Sequence, residues 1–234
     1  MNEIIKKKED AIKKFKEMVL ESEFKESIAK IVLFGSVLKK DAHEDSDIDL
    51  LILSTDGRKK IENFLSDISW NIWWKTGERI ESLIFPLSEI RYPSSWVVYR
   101  ALKIGKEVYS MKEEEIKRKE QNEYSQLSRH YLGGASRNLR EGDYRLAVDS
   151  AYNASELAVK GLLLFKLDDL PSSHGGIVNR FGALFVKTGE IKSELGRRLN
   201  SGLEKRNRAD ITKEHADKSI DLAETLLNIL ESKL

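Results

Sequence analysis

The chain has no cysteine among its 234 residues, which removes disulfide frameworks, thiolate metal sites and thiol nucleophiles together and fits a reducing, cytoplasmic setting. It has only 3 prolines against 34% charged residues, a composition that suits a heat-adapted source. No stretch approaches the roughly 20 consecutive apolar residues that a membrane span needs. A charge surplus is missing too: Lys+Arg 40 against Asp+Glu 39 leaves a formal charge of +1, too little to drive indiscriminate binding to nucleic acid. What is present is a 40% hydrophobic fraction and enough length for two compact domains.

Periodicity divides the chain. Apolar residues from Ile4 to Leu20 recur at three- and four-residue steps, as in an amphipathic helix with a charged outer face. The β-branched runs Ile28 to Phe34 and Ile48 to Leu53 read as buried strands. Ile61, Phe64, Leu65, Ile68, Ile72 and Trp73 mark a helix closed by Gly77, and Arg79 to Phe85 a third strand. After Tyr109 the texture becomes helical. The charged stretch Met111 to Glu123 is a linker or the first turns of a helix, and helices follow over about 123–140, 144–165, 177–186, 191–203 and 212–230. The expectation is an α+β chain, with a mixed sheet covered by helices over 1–110 and an all-α up-and-down bundle over 111–234.

The informative segment is IVLFGSVLKKDAHEDSDIDLLIL, Ile31 to Leu53, where Gly35-Ser36 closes one strand and Asp47-Ile-Asp49 opens the next. Residues two apart on a strand point to one face, so two carboxylates stand together at the mouth of an apolar sheet. Mg²⁺ favours such hard oxygen ligands together with substrate phosphates. Gly35 lets backbone approach a phosphate, and Ser36 can donate to its oxygens. Solubilising aspartates at a strand edge are the bland alternative, weakened because these two interrupt an apolar run with no cation beside them. A calcium loop starting at Asp45 fails, since Leu50 stands where glycine is required and Asp56 where the bidentate glutamate belongs.

Gly-Ser, a spacer and Asp-x-Asp at a strand start resemble the minimal nucleotidyltransferase domains of the DNA polymerase β superfamily. The resemblance implies Gly35 and Ser36 as triphosphate contacts and Asp47 and Asp49 as catalytic ligands of two Mg²⁺ ions. A third carboxylate on the next strand is assigned to Glu81, with Glu78 as fallback. Of the spacer residues, Lys39 is read as solvated, Lys40 as a nucleotide-binding residue or a solvated one, and His43 as a surface or active histidine.

The segments from Glu141 to Phe165, LPSSHGGI and LEKRNRADI resemble HEPN domains, helical bundles found beside or fused to nucleotidyltransferase domains. Active HEPN ribonucleases share an Arg and a His a short spacer apart; six residues, ADITKE, separate Arg208 from His215. The same region also reads as R-x-x-A-D, with Arg206, Ala209 and Asp210. His174, before a helix, is either a structural hydrogen-bonding residue or a substrate contact.

Together these imply a Mg²⁺-dependent enzyme that moves a nucleoside monophosphate, AMP from ATP foremost, to a hydroxyl of a protein, an RNA end or a small molecule, with release of pyrophosphate. A homodimer through the helical half and no membrane partner are expected. The alternative is an RNA-binding or ribonuclease module of a toxin-antitoxin or defence system, and the third reading is a dimeric scaffold holding a nucleotide as ligand.

Overall fold

A computed structural model describes residues 3–55, 58–206 and 210–234, the side chains of Arg58 and of 203–206 excepted. The chain falls into two compact units, Met1–Ile116 and Lys117–Leu234. In the first, helix α1 (Glu3–Leu20) precedes strand β1 (Ile28–Phe34), a short helix α2 (Gly35–Lys39) and strand β2 (Ile48–Ser54). Helix α3 (Arg58–Thr76), strand β3 (Ile80–Pro86), helix α4 (Trp96–Ile104) and strand β4 (Lys106–Ser110) complete it. The sheet order is β3-β2-β1-β4. β2 pairs antiparallel with β1 and parallel with β3, and the parallel pair requires the long crossover that α3 supplies.

The central strands are buried on both faces, so their apolar run is continuous and period two shows only in which core each side chain joins. Ile31, Leu33, Leu50 and Ile52 pack with Phe15 of α1 and Leu65 and Ile68 of α3. Val32, Leu51 and Leu53 pack instead against Val98 and Ala101 of α4. The sequence reading did not find α4 or β4. WVVYRALKI carries the aromatic and β-branched residues of a strand, and KEVYS is a short edge strand that pairs only with β1.

The second unit holds helix α5 (Glu113–Glu141), whose first turn lies before the division between the units, α6 (Tyr144–Leu163), α7 (His174–Phe181) running on through a π-helical turn (Gly182–Val186), α8 (Ser193–Arg206) and α9 (Lys213–Glu231). The charged stretch after Met111 is thus the start of α5, not a linker. Ala158, Leu162, Phe181, Phe185, Leu226 and Leu230 form its main core. No helix among the described residues is long and apolar enough to cross a membrane.

Candidate active site

Asp49 is the second residue of β2, and its register partners are Phe34 on β1 and Glu81 on β3. Directly opposed residues share a face of the sheet, so one aromatic ring and two carboxylates form a row at its end, on the side covered by α4. Asp47 lies two residues earlier, just before the strand begins. Gly35, with φ +77°, follows Phe34, and a Cβ placed on it would lie 1.8 Å from Asp49 Oδ2. Only glycine meets both the left-handed backbone and this contact.

The acids crowd one another. Burial first, then Glu81, then Asp47 push the Asp49 carboxyl above its ordinary range. Oδ1 of Asp47 is buried and has no hydrogen-bond partner, a deficit of about 1–3 kcal/mol for a buried acceptor. No three His, Asp or Glu side chains among the described residues gather into a ready-made metal cage. The residues nonetheless fit Mg²⁺. Asp47 has an acceptor in need of a cation, Asp49 a carboxylate repelled by its neighbours, and this ion habitually takes one or two carboxylates while substrate phosphates and water fill its other positions.

Asp47 is delivered by a loop fastened from behind. Lys8, fully buried on α1, donates through Nζ to Ser46 O (2.6 Å), to Glu44 O (3.4 Å) and to Glu78 Oε2 (2.7 Å). Glu78, the alternative third acid, is therefore engaged in a buried ion pair. Glu81 stands in register with Asp49, and a cavity of about 540 Å³, which it borders, opens on the other face of β3 along Ile80, Ser82 and Ile84. Glu62, Trp70 and Trp73 of α3 form the opposite wall, and the lining residue Ser82 has a buried Oγ without a partner.

Ser36 sits in the first turn of α2. Lys40 ends that helix in a left-handed conformation, φ 63°, and is exposed. The residue beside Gly35 is instead Lys39, which lines a second cavity with Gly35 and Phe34. His43 is exposed, its backbone N–H donating to Ser46 Oγ at 2.8 Å. Sequence reading missed Lys8 altogether, although a signal existed: it falls on the Ile5, Ile12, Phe15, Val19 stripe of α1 while Lys6 and Lys7 do not.

Residues 12–124 match the family model of the nucleotidyltransferase domain, and residues 123–233 that of the HEPN domain. The chain is a nucleotidyltransferase domain followed by a HEPN domain. By family, then, the N-terminal unit with its Gly-Ser and Asp-x-Asp is a nucleotidyltransferase. No curated protein matches the chain. Among solved structures it is similar to TT1696 from Thermus thermophilus, at 24% identity and a TM-score of 0.42 over 49% of this chain and 98% of that one. It is also similar to spectinomycin adenyltransferase AAD(9) from Enterococcus faecialis, crystallised with ATP and spectinomycin, at 14% identity and a TM-score of 0.34 over 95% of this chain and 99% of that one.

In the HEPN domain His215 and His174 are both engaged in hydrogen bonds. Nδ1 of His215 accepts the Thr212 backbone N–H at 3.2 Å while Thr212 Oγ1 accepts that of His215 at 3.4 Å, a capping box at the start of α9. Arg208 and Ala209 lie outside the described residues, and Arg206 is described only as the last residue of α8. Nδ1 of His174 is hydrogen-bonded to the Glu156 carboxylate, which also holds Lys160 at 2.9 Å. Burial works to raise the Glu156 carboxyl, but Lys160 and His174 outweigh it and hold the group below its ordinary range.

Proposed function

We propose that the chain is a Mg²⁺-dependent enzyme that transfers a nucleoside monophosphate, AMP from ATP foremost, to a hydroxyl and releases pyrophosphate. The observation that carries this reading is the Asp49 carboxylate wedged against Gly35 at the sheet's end, beside the unpartnered oxygen of Asp47 and in register with Glu81. Polar groups left in that state lower the stability of the empty protein and are compensated when a cation and phosphates arrive.

Gly35 and Ser36 receive the triphosphate, the glycine because nothing larger fits between backbone and Asp49. Asp47 and Asp49 hold Mg²⁺ together with the nucleotide's phosphates. The ion, when bound, neutralises the polyphosphate and acidifies the acceptor hydroxyl. Glu81 orients that hydroxyl and takes its proton as the oxygen attacks the α-phosphorus. One P–O bond forms to the acceptor while the bond from the α-phosphorus to the bridging oxygen breaks, and pyrophosphate leaves with the bonding pair. The acceptor, whether a protein side chain, an RNA end or a small molecule, attacks from the side on which Glu81 stands in register with Asp49.

Labelled ATP, Mg²⁺ and trial acceptors test this directly. Wild-type protein transfers label, and Asp47→Asn and Asp49→Asn each lower the rate by at least about 10²-fold. Calorimetry finds Mg²⁺ weakly bound alone and tightly bound with ATP. Transfer that persists undiminished in both variants removes the reading.

A further inference from the structure

The sheet face that carries Phe34, Asp49 and Glu81 has a cavity of its own, of about 240 Å³, between Phe34, Gly35 and Lys39 on one side and Trp96, Val97 and Arg100 of α4 on the other. Phe34 stands next to Asp49 across the strands, so the cavity adjoins the phosphate-receiving turn. Trp96 is 68% exposed, an unusual position for an indole that no partner covers. Its ring stacks on Tyr99 with centroids 5.4 Å apart and planes 23° apart.

The start of α4 is fixed from below. Ser95 Oγ accepts the Val98 N–H at 3.3 Å, and the buried carboxylate of Glu89 accepts the Ser94 N–H at 2.5 Å. The backbone that carries the indole is therefore fixed before any ligand arrives and Tyr99 backs the ring, which reduces the ordering cost of stacking on it. Lys39 and Arg100 stand at the rim, and neither has a carboxylate partner among the described residues. Phosphate accounts for the two cations but not for the apolar walls, against which an anion loses hydration and gains nothing. A flat heteroaromatic ring joined to a phosphate chain accounts for both.

We propose that this cavity receives the nucleobase of the triphosphate, stacked on Trp96, with Arg100 meeting the acceptor atoms of the base and Lys39, beside Gly35, meeting the adjoining phosphates. This rests on the nucleotidyltransferase reading of the first unit and extends it by assigning the base end of the nucleotide. The ligand runs from Trp96, past Phe34, to the turn at Gly35 and the acids beyond.

The test measures binding to the full chain in Mg²⁺ of two probes, ATP and inorganic tripolyphosphate, for wild type, Trp96→Ala and Trp96→Phe. In wild type ATP binds at least about tenfold more tightly than tripolyphosphate. Trp96→Ala removes that advantage, weakening ATP about tenfold and leaving tripolyphosphate unchanged, and Trp96→Phe keeps most of it. An ATP-to-tripolyphosphate ratio unaltered by Trp96→Ala, or equal binding of the two by wild type, overturns the base site while the triphosphate reading stands. If wild type binds neither probe, the parent reading falls and this one with it. Should Trp96→Ala not fold, Arg100→Met decides: the same selective loss of ATP affinity supports the proposal, and an unchanged ratio refutes it.

Discussion

In the sheet unit Asp47 Oδ1, Asn71 Oδ1 and Ser82 Oγ are buried without partners, and Asp49, at the end of the sheet, is held above its ordinary range by burial and its acidic neighbours. Among the described residues of the helical unit no buried side-chain nitrogen or oxygen lacks a hydrogen-bond partner. Ser128 Oγ donates to Ala154 O at 2.8 Å, Ser155 Oγ to Ala151 O at 3.0 Å, and Glu156 is shared by Lys160 and His174. Both units bury apolar cores of ordinary kind, so the contrast does not come from packing. It comes from where polar groups lack partners, and at the sheet's end the missing partner has the chemistry of a cation with phosphates.

The largest effect is expected at the fastening behind Asp47. Lys8→Met leaves Glu78 buried without its cation and should cost about 3–5 kcal/mol in urea unfolding; the double variant with Glu78→Gln recovers part of that, and no recovery would mean that the pair is not coupled. Next comes Gly35→Ala, which drives a methyl into Asp49 and lowers nucleotide transfer by about 10²-fold or more with the fold retained; transfer at the wild-type rate would show that the close approach is incidental. In the matched region Glu156→Gln should cost about 1–3 kcal/mol of stability and leave transfer untouched. A fall in transfer alone would break the division between the units.

The smallest effect is a pH dependence. Burial, then Glu120, raises the Glu123 carboxyl from 4.5 to about 7, with Lys119 opposing. The protonated form is therefore favoured in the fold. Its contribution is complete below about pH 4.5 and lost as pH rises through about 7, where the folded group ionises. Once solvent screening is allowed for, the loss is about 1 kcal/mol, and Glu123→Gln should flatten the decline in melting temperature between pH 5 and 8. An unchanged slope in that variant assigns the decline to other groups.

Much of this was legible before any fold was seen. The strands over Ile28 to Phe34 and Ile48 to Leu53 stood out because central strands buried on both faces are continuous apolar runs. Gly77, with φ +77°, ends α3 where a glycine is favoured. Thr212 opens α9 as its cap. α4 and β4 were not legible, since nine and five residues carry too little periodicity to outweigh strand-like composition in the one and edge exposure in the other. Lys39 and Lys40 are alike by type and neighbours. Lys39, one helical turn after Gly35 on α2, lies beside it, while Lys40 leaves the helix in a left-handed turn.

The amino-acid sequence by itself determined the order of elements and the local chemistry, since helical and strand periods, caps and the Gly-Ser and Asp-x-Asp pairs are properties of neighbours along the chain. Tertiary structure alone decided that Asp49 meets Gly35 and Glu81, that Lys8 pairs with Glu78, and that Trp96 faces the same cavity as Phe34. Those facts join residues tens of positions apart, and only the register of the sheet and the packing of helices on its two faces bring them within reach of one another.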